Sequence, residues 1–338
     1  MKLALQVEVR RGAILESRHR SEAAVVDVDG RLHAATEEPR LITSFRSAAK
    51  PFQLLALVER GHADRFGFSD EQLAIMAASH TGSAYHRKLV TTILDRIELG
   101  PEHLACGYHD PIDSEALAEV RAHPERRSPL HNNCSGKHAG MLALALSEGK
   151  PVEGYERPEH IVQQLALRSV AEVCGLPPEE VLTGTDNCNV VVFGLPLASM
   201  ARGYARLAAA MATGDERDHA LHRIRTAMTT YPQAVGGATR FSTKLMESGR
   251  GHFVSKGGAE ALECIGVPGQ GIGIAIKVRD GSGRAIAPAA VALLEHLGML
   301  PNGASDRLAA SREPVLKSPI GREVGRLTAS LEALSPTG

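Results

Sequence analysis

The sequence predicts an α+β fold in which one antiparallel sheet is flanked by helices and a helical segment is inserted between its strands. Three observations carry that expectation. Strand-type runs fill about the first 40 residues, strand character returns over about 271–338, and the stretch from about 47 to 230 is patterned as helices. With 338 residues and 43% hydrophobic content the chain supplies a sizeable core, and no repeat, low-complexity tract or linker divides it. A single unit over residues 1–338 is therefore expected.

Taken in order, Leu3 to Arg10, Ala13 to Arg18 and Ala23 to Val28 read as strands. The last turns at Asp29-Gly30 into Arg31 to Ala35, so an antiparallel meander is the simplest account. From Ser47 the period becomes helical. Ser69-Asp70-Glu71-Gln72 has the form of a capping box, whose serine and glutamine satisfy free N–H groups at a helix start, ahead of Leu73 to Ala78. Further helices are expected over Ser83 to Leu99, Gly136 to Glu148, Pro158 to Cys174, Gly194 to Ala212 and Asp215 to Met228, with Gly149, Gly175 and Gly214 beyond three of their ends. Gly271 to Val278 reads as a strand and Asp280-Gly281-Ser282-Gly283 as a hairpin turn into Arg284 to Ile286. Pro288 opens a helix to Leu297. The glycine-rich stretch Gly266 to Gly273 lacks the Lys-Ser/Thr ending of a nucleotide loop.

A formal net charge of -1, with no long run of like charge, gives neither nucleic acid nor an anionic membrane anything to hold. The N-terminal residues Gln6, Glu8, Arg10 and Arg11 interrupt any secretory apolar segment, and the longest apolar run, Val190 to Ala201, is too short to span a bilayer. A cytoplasmic protein is expected. Cys106, Cys134, Cys174, Cys188 and Cys264 are an odd number without a Cys-x-x-Cys pair, which points to reduced thiols.

Only nine of the 38 basic residues are lysine. Lysine differs from arginine in that burial can strip its proton. Three lysines have small neighbours that let other groups approach the amine: Lys50 in Ser-Ala-Ala-Lys, Lys137 in Cys-Ser-Gly-Lys-His and Lys256 in Ser-Lys-Gly-Gly. Ser47 and Lys50 form a Ser-x-x-Lys pair, which at a helix start sets hydroxyl and amine on one face so that a neutral amine can take the serine proton. His131-Asn132-Asn133-Cys134-Ser135-Gly136-Lys137-His138-Ala139-Gly140 gathers many polar side chains at a helix start, and Cys188 lies in the comparably polar Gly184-Thr185-Asp186-Asn187-Cys188-Asn189. Cys134 and Cys188 could hold zinc as thiolates, with His138, Asp186 or a neutral Lys137 as third ligand; spacing alone favours His138. Ala78-Ser79-His80-Thr81-Gly82 joins two helices, where functional loops sit, and His80 could be a base. No Gly-x-Ser-x-Gly or His-Glu-x-x-His motif is present.

At Arg46-Ser47-Ala48-Ala49-Lys50-Pro51, Ala78-Ser79-His80, the Asn-Asn-Cys-Ser-Gly-Lys-His block, Asp186-Asn187-Cys188, Lys256-Gly257-Gly258-Ala259-Glu260 and Gly321-Arg322-Glu323-Val324-Gly325, the sequence resembles the rhizobial-type L-asparaginases, the class 3 or asparaginase II family. The resemblance covers nearly the whole chain. It implies the fold of serine β-lactamases and penicillin-binding proteins as a single catalytic unit, and hydrolysis of L-asparagine to L-aspartate and ammonia. It implies two serine-lysine tandems, Ser47 with Lys50 and Ser79 with Lys256, and a zinc bound by Cys134, Lys137 and Cys188, overruling His138 as ligand. Arg46, His80, Asp186 and His138 are expected around the substrate, and a homodimer is expected. Arginine could neither accept a serine proton nor offer a metal a lone pair. The competing readings are a β-lactamase-like or glutaminase-type serine amidohydrolase on the same fold, and a non-catalytic zinc-stabilised binding protein.

Overall fold

Alternate apolar residues make the first strand: Leu3, Leu5, Val7 and Val9 are buried while the side chains between them point outward. In the computed structural model the described residues are 1–334, so the last four residues of the expected C-terminal sheet region lie outside them. The strands among the described residues are β1 (Lys2–Arg11), β2 (Ile14–Asp27), β3 (Leu32–Ala35), β4 (Ile42–Ser44), β5 (Leu182–Thr185), β6 (Val191–Pro196), β7 (Val254–Gly258), β8 (Leu262–Val267), β9 (Ile272–Val278), β10 (Val315–Lys317) and β11 (Glu323–Leu334). Contacts partition the chain into two compact units, each assembled from separated segments: Met1–Ala48, Leu195–Ala209 and Lys244 onward in one, Ala49–Gly194 and Ala210–Thr243 in the other.

The first unit holds an eight-stranded sheet in the order β10-β11-β1-β3-β2-β9-β8-β7, with β1 also paired to β2. Its pairings are antiparallel apart from one parallel bridge, Lys2↔Ala35. The two strands expected over residues 13–28 are one continuous β2. Its first half pairs with β1 and its second half, from Ser21↔Val278 to Asp27↔Ile272, with β9. The helix Leu197–Ala209 lies directly on β2, β8 and β9. Glycine permits this approach: a Cβ at Gly273 would stand 1.8 Å from the Ala201 carbonyl oxygen, and one at Gly266 2.6 Å from that of Tyr204.

Three expectations are corrected in this unit. The later part of the sheet begins at Val254, ahead of residue 271, because β8 is buried at every position and lacks the alternation that marks a strand. The helix expected from Gly194 starts at Leu197, after β6 ends at Pro196. Asp280-Gly281 does not turn a hairpin: Asp280 accepts from the Ser282 N–H and meets the His19 ring, and the chain enters a short 3-10 turn and then the helix Ile286–His296, which packs on β1, β9 and β11.

The second unit is helical apart from the β5–β6 hairpin. At its centre the helix Ser135–Ser147 is buried from Ser135 to Ala145, since small residues alternate there with Leu and Met. Gly136 lets this helix start against the end of the helix Asp70–Met76: a Cβ there would sit 2.3 Å from the Ile75 carbonyl oxygen. The capping box is present, Ser69 accepting from the Gln72 N–H and Gln72 Oε1 from the Ser69 N–H. Among the described residues no helix is long and apolar enough to cross a membrane.

Candidate active site

Ser79 sits on the loop after the helix Asp70–Met76, and hydrogen bonds fix its backbone on both sides. Its own N–H donates to the Val235 carbonyl at 3.0 Å, and that of His80 to the Asn133 carbonyl at 3.2 Å. Gly82 closes the loop with φ +77°, where a Cβ would lie 2.7 Å from the His131 carbonyl oxygen. His80 is fully buried and both ring nitrogens are used: Nδ1 accepts from the Gly82 N–H, so Nε2 carries the proton and donates to Ser135 Oγ at 2.9 Å. Burial, with the nearby His86 and Lys50 charges, holds its pKa well below the ordinary histidine range. His80 thus ties the Ser79 loop to the start of the central helix.

Lys50 opens the short helix Lys50–Gln53 and is 1% exposed. Its Nζ donates to the Ala78 carbonyl at 2.5 Å, Ser79 Oγ at 3.0 Å, the Asn133 carbonyl at 3.4 Å and Cys134 Sγ at 3.2 Å. Among the described residues no carboxylate bonds to it. Burial dominates in drawing its pKa below that of an ordinary amine; the Cys134 thiol works against this and the Lys137 charge with it. The amine from one expected tandem therefore meets the serine of the other.

Cys134 stands just before the central helix, Lys137 in its first turn, and Cys188 in the β5–β6 turn, all buried. Lys137 Nζ lies 3.0 Å from Cys188 Sγ. A hydrogen bond from the Cys188 thiol, with Lys50 and Lys137 alongside, pulls the Cys134 pKa well below the thiol range despite burial, while that same bond and burial push Cys188 up. Burial works to strip Lys137 of its proton, but the sulfurs of Cys188 and Cys134, with Asp186 behind them, outweigh it and keep the amine protonated. Among the described residues no three His, Cys, Asp or Glu side chains gather as a metal site. Two thiols and an amine do gather, and nitrogen and sulfur donors of this kind suit zinc once the Lys137 proton is displaced.

The remaining expected residues fall as follows. Ser47 lies in the 3-10 turn Arg46–Ala49, half-buried, and Arg46 begins that turn in the left-handed region at φ 44°. Lys256 is a buried β7 residue whose Nζ donates to the Gly257 carbonyl at 2.8 Å. Asp186 opens the β5–β6 turn and accepts from the Asn187 N–H. His138, expected around the substrate, is fully buried, with Nδ1 2.6 Å from the Tyr155 hydroxyl. Residue patterning gave no role to Asn133, whose carbonyl takes bonds from Lys50 and His80 and whose side-chain oxygen lies 3.1 Å from Cys134 Sγ. Its place inside the Asn-Asn-Cys block was the available signal. Val235 and Tyr155 carried none.

The buried Lys50 amine thus lies against a serine hydroxyl, next to a thiol pair. The chain belongs to the L-asparaginase II family, whose model matches residues 7–329 and whose members are amidohydrolases. No curated protein matches it in sequence. Among solved structures it is similar to a crystal structure of Mglu in its native form in the presence of 4.3 M NaCl, at 15% identity over 85% of this chain and 63% of that one, TM-score 0.47. A second crystal structure of Mglu is similar at 19% identity over 84% of this chain and 68% of that one, TM-score 0.40. The chain thus spans less than two thirds of the first of these.

Proposed function

We propose that the protein is an L-asparaginase, hydrolysing the side-chain amide of L-asparagine to L-aspartate and ammonia on a fold of the serine β-lactamase type. The observation that carries the serine-lysine reading is the contact of the buried Lys50 amine with Ser79 Oγ at 3.0 Å, without a carboxylate partner. Ser47, three residues before Lys50, is assigned as nucleophile. In support, the Ser79 N–H is committed to Val235 and cannot serve an oxyanion formed on its own side chain. Ser47 Oγ attacks the amide carbon as its proton passes to Lys50. The C–N bond then breaks, and the proton returns through Lys50 and Ser79 to the leaving ammonia. Water cleaves the resulting acyl ester by the reverse route. The motif resemblance assigns Lys256 to the same proton traffic.

The reading also assigns Cys134, Lys137 and Cys188 to zinc, which when bound supplies a Lewis-acidic anchor for the polar end of the substrate. Asp186 is assigned to the substrate ammonium. Ammonia release from asparagine and glutamine, and ring opening of a nitrocefin-type lactam, by wild type, Ser47→Ala and Ser79→Ala test the whole. Asparagine turnover lost in both variants is expected; undiminished turnover in both would eliminate the serine mechanism, and turnover of the lactam alone would eliminate the asparaginase.

A further inference from the structure

All three assigned zinc donors have a chain neighbour that reaches the same short piece of backbone. The turn Leu104–Gly107 closes through the Gly107 N–H to the Leu104 carbonyl, with Gly107 at φ +65°. Asn132 accepts from the Cys134 N–H at 2.9 Å through Oδ1 and donates through Nδ2 to the carbonyls of Cys106, at 2.9 Å, and Gly107, at 3.1 Å. Asn189, the residue after Cys188, donates through Nδ2 to the Ala105 carbonyl at 2.8 Å and is held at φ +72°. On the Lys137 side, the Tyr155 hydroxyl accepts from the Ala105 N–H at 3.0 Å. It also lies 2.6 Å from Nδ1 of His138, the residue after Lys137. The other ring nitrogen, Nε2, is buried with no hydrogen-bond partner among the described residues.

We infer that the turn Leu104–Gly107 is a common clamp for the metal donors, with Asn132, Asn189 and the Tyr155–His138 pair as positioning residues. Two segments far apart in sequence, one carrying Cys134 and Lys137 and the other Cys188, are brought to one register because Asn132, Asn189 and, through Tyr155, His138 are each tied to a different polar group of the same four residues. A clamp of this kind fixes the separation of two sulfurs and a nitrogen before any ion arrives, which is how outer hydrogen bonds tune metal affinity. The unpartnered Nε2 fits the same account: His138 gives up one hydrogen bond in order to hold Tyr155, and through it Ala105, beneath the Lys137 turn.

The inference rests on the zinc reading above, and the test separates the two. Zinc affinity is measured by competition with a chromophoric chelator for wild type, Tyr155→Phe and Asn189→Gly; glycine retains the left-handed backbone while deleting the amide. Ser69→Ala, which weakens a helix cap outside the network, controls for general loss of stability. Both clamp variants are expected to bind zinc about 10–100-fold more weakly and to show altered cobalt(II)-thiolate absorption, with the control unchanged on both counts. Wild-type protein that takes up no zinc overturns the metal reading and the clamp with it. Zinc binding by wild type with equal affinity in both clamp variants, or an equal loss in the control, overturns the clamp alone.

Discussion

Glu22 in the sheet-bearing unit and Lys50 in the helical unit are both nearly inaccessible to solvent, and the chain treats them in opposite ways. Glu22 receives the Thr36 hydroxyl at 2.6 Å, the Glu38 N–H at 2.9 Å and Arg279 Nε at 2.7 Å. Burial pushes its pKa up, but these donors together outweigh burial and hold it below the ordinary carboxylate value. Lys50 meets carbonyls, a hydroxyl and the Cys134 sulfur, and burial outweighs the pull of that sulfur, so its pKa falls. A charge met in full stabilises the fold and stays put, whereas a charge whose partners do not offset its burial has a proton that can leave.

The largest expected effect tests the second half of that contrast. Lys50→Met should lower ammonia release by about 10³-fold or more, and Lys50→Arg by as much, since guanidinium keeps its proton. The melting temperature of Lys50→Met should change little, because the desolvation cost of the buried amine is relieved while its contact with the Cys134 sulfur is lost. A large fall in melting temperature would show that the amine is structural. Next comes the metal. A chelator should remove about 2–3 kcal/mol of stability if zinc is held near 100-fold above its dissociation constant, and Cys188→Ala should remove zinc from the purified protein. Unchanged metal content in that variant would strike Cys188 from the ligands.

The first half of the contrast predicts smaller, purely structural losses. Glu22→Gln should cost about 2 kcal/mol at neutral pH while ammonia release per folded molecule is unchanged. Because the folded-state pKa of Glu22 is depressed, its contribution is complete above the ordinary value of 4.5 and is lost as pH falls through the folded value. The acidic limb of a melting-temperature profile should therefore be shallower in Glu22→Gln than in wild type. A parallel pair of limbs would mean that other carboxylates govern acid stability. Smallest of all, Ser69→Ala should cost about 1 kcal/mol through its lost helix cap, with no change in activity.

Local signals were legible in the sequence and cross-chain pairings were not. The capping box at Ser69, the helix at Ser135 and β1 are each written in a handful of adjacent residues, by side chains whose partners lie a turn or a strand position away. The strand β8 was hidden because both its faces are covered, and the Asp280-Gly281 turn misled because Asp280 spends its carboxylate on His19, far away in sequence. In the site, residue types and blocks were readable, including Cys134, Lys137 and Cys188, which the fold brings together. Which serine Lys50 touches was not: a Ser-x-x-Lys spacing names Ser47, and only the folded loop brings Ser79 to the amine.

The register of β1 against β11, Lys2 opposite Leu334 and Arg10 opposite Arg326, has a consequence for biosynthesis. Chain order sets β1 ahead of every other strand of that sheet and its partner behind them all, so one hydrogen-bonding edge of β1 waits for its mate until the strands between have been made. Such distant pairing makes for slow folding and leaves the waiting edge open to aggregation. Whatever covers that edge in the meantime competes with β11 for the same row of backbone groups.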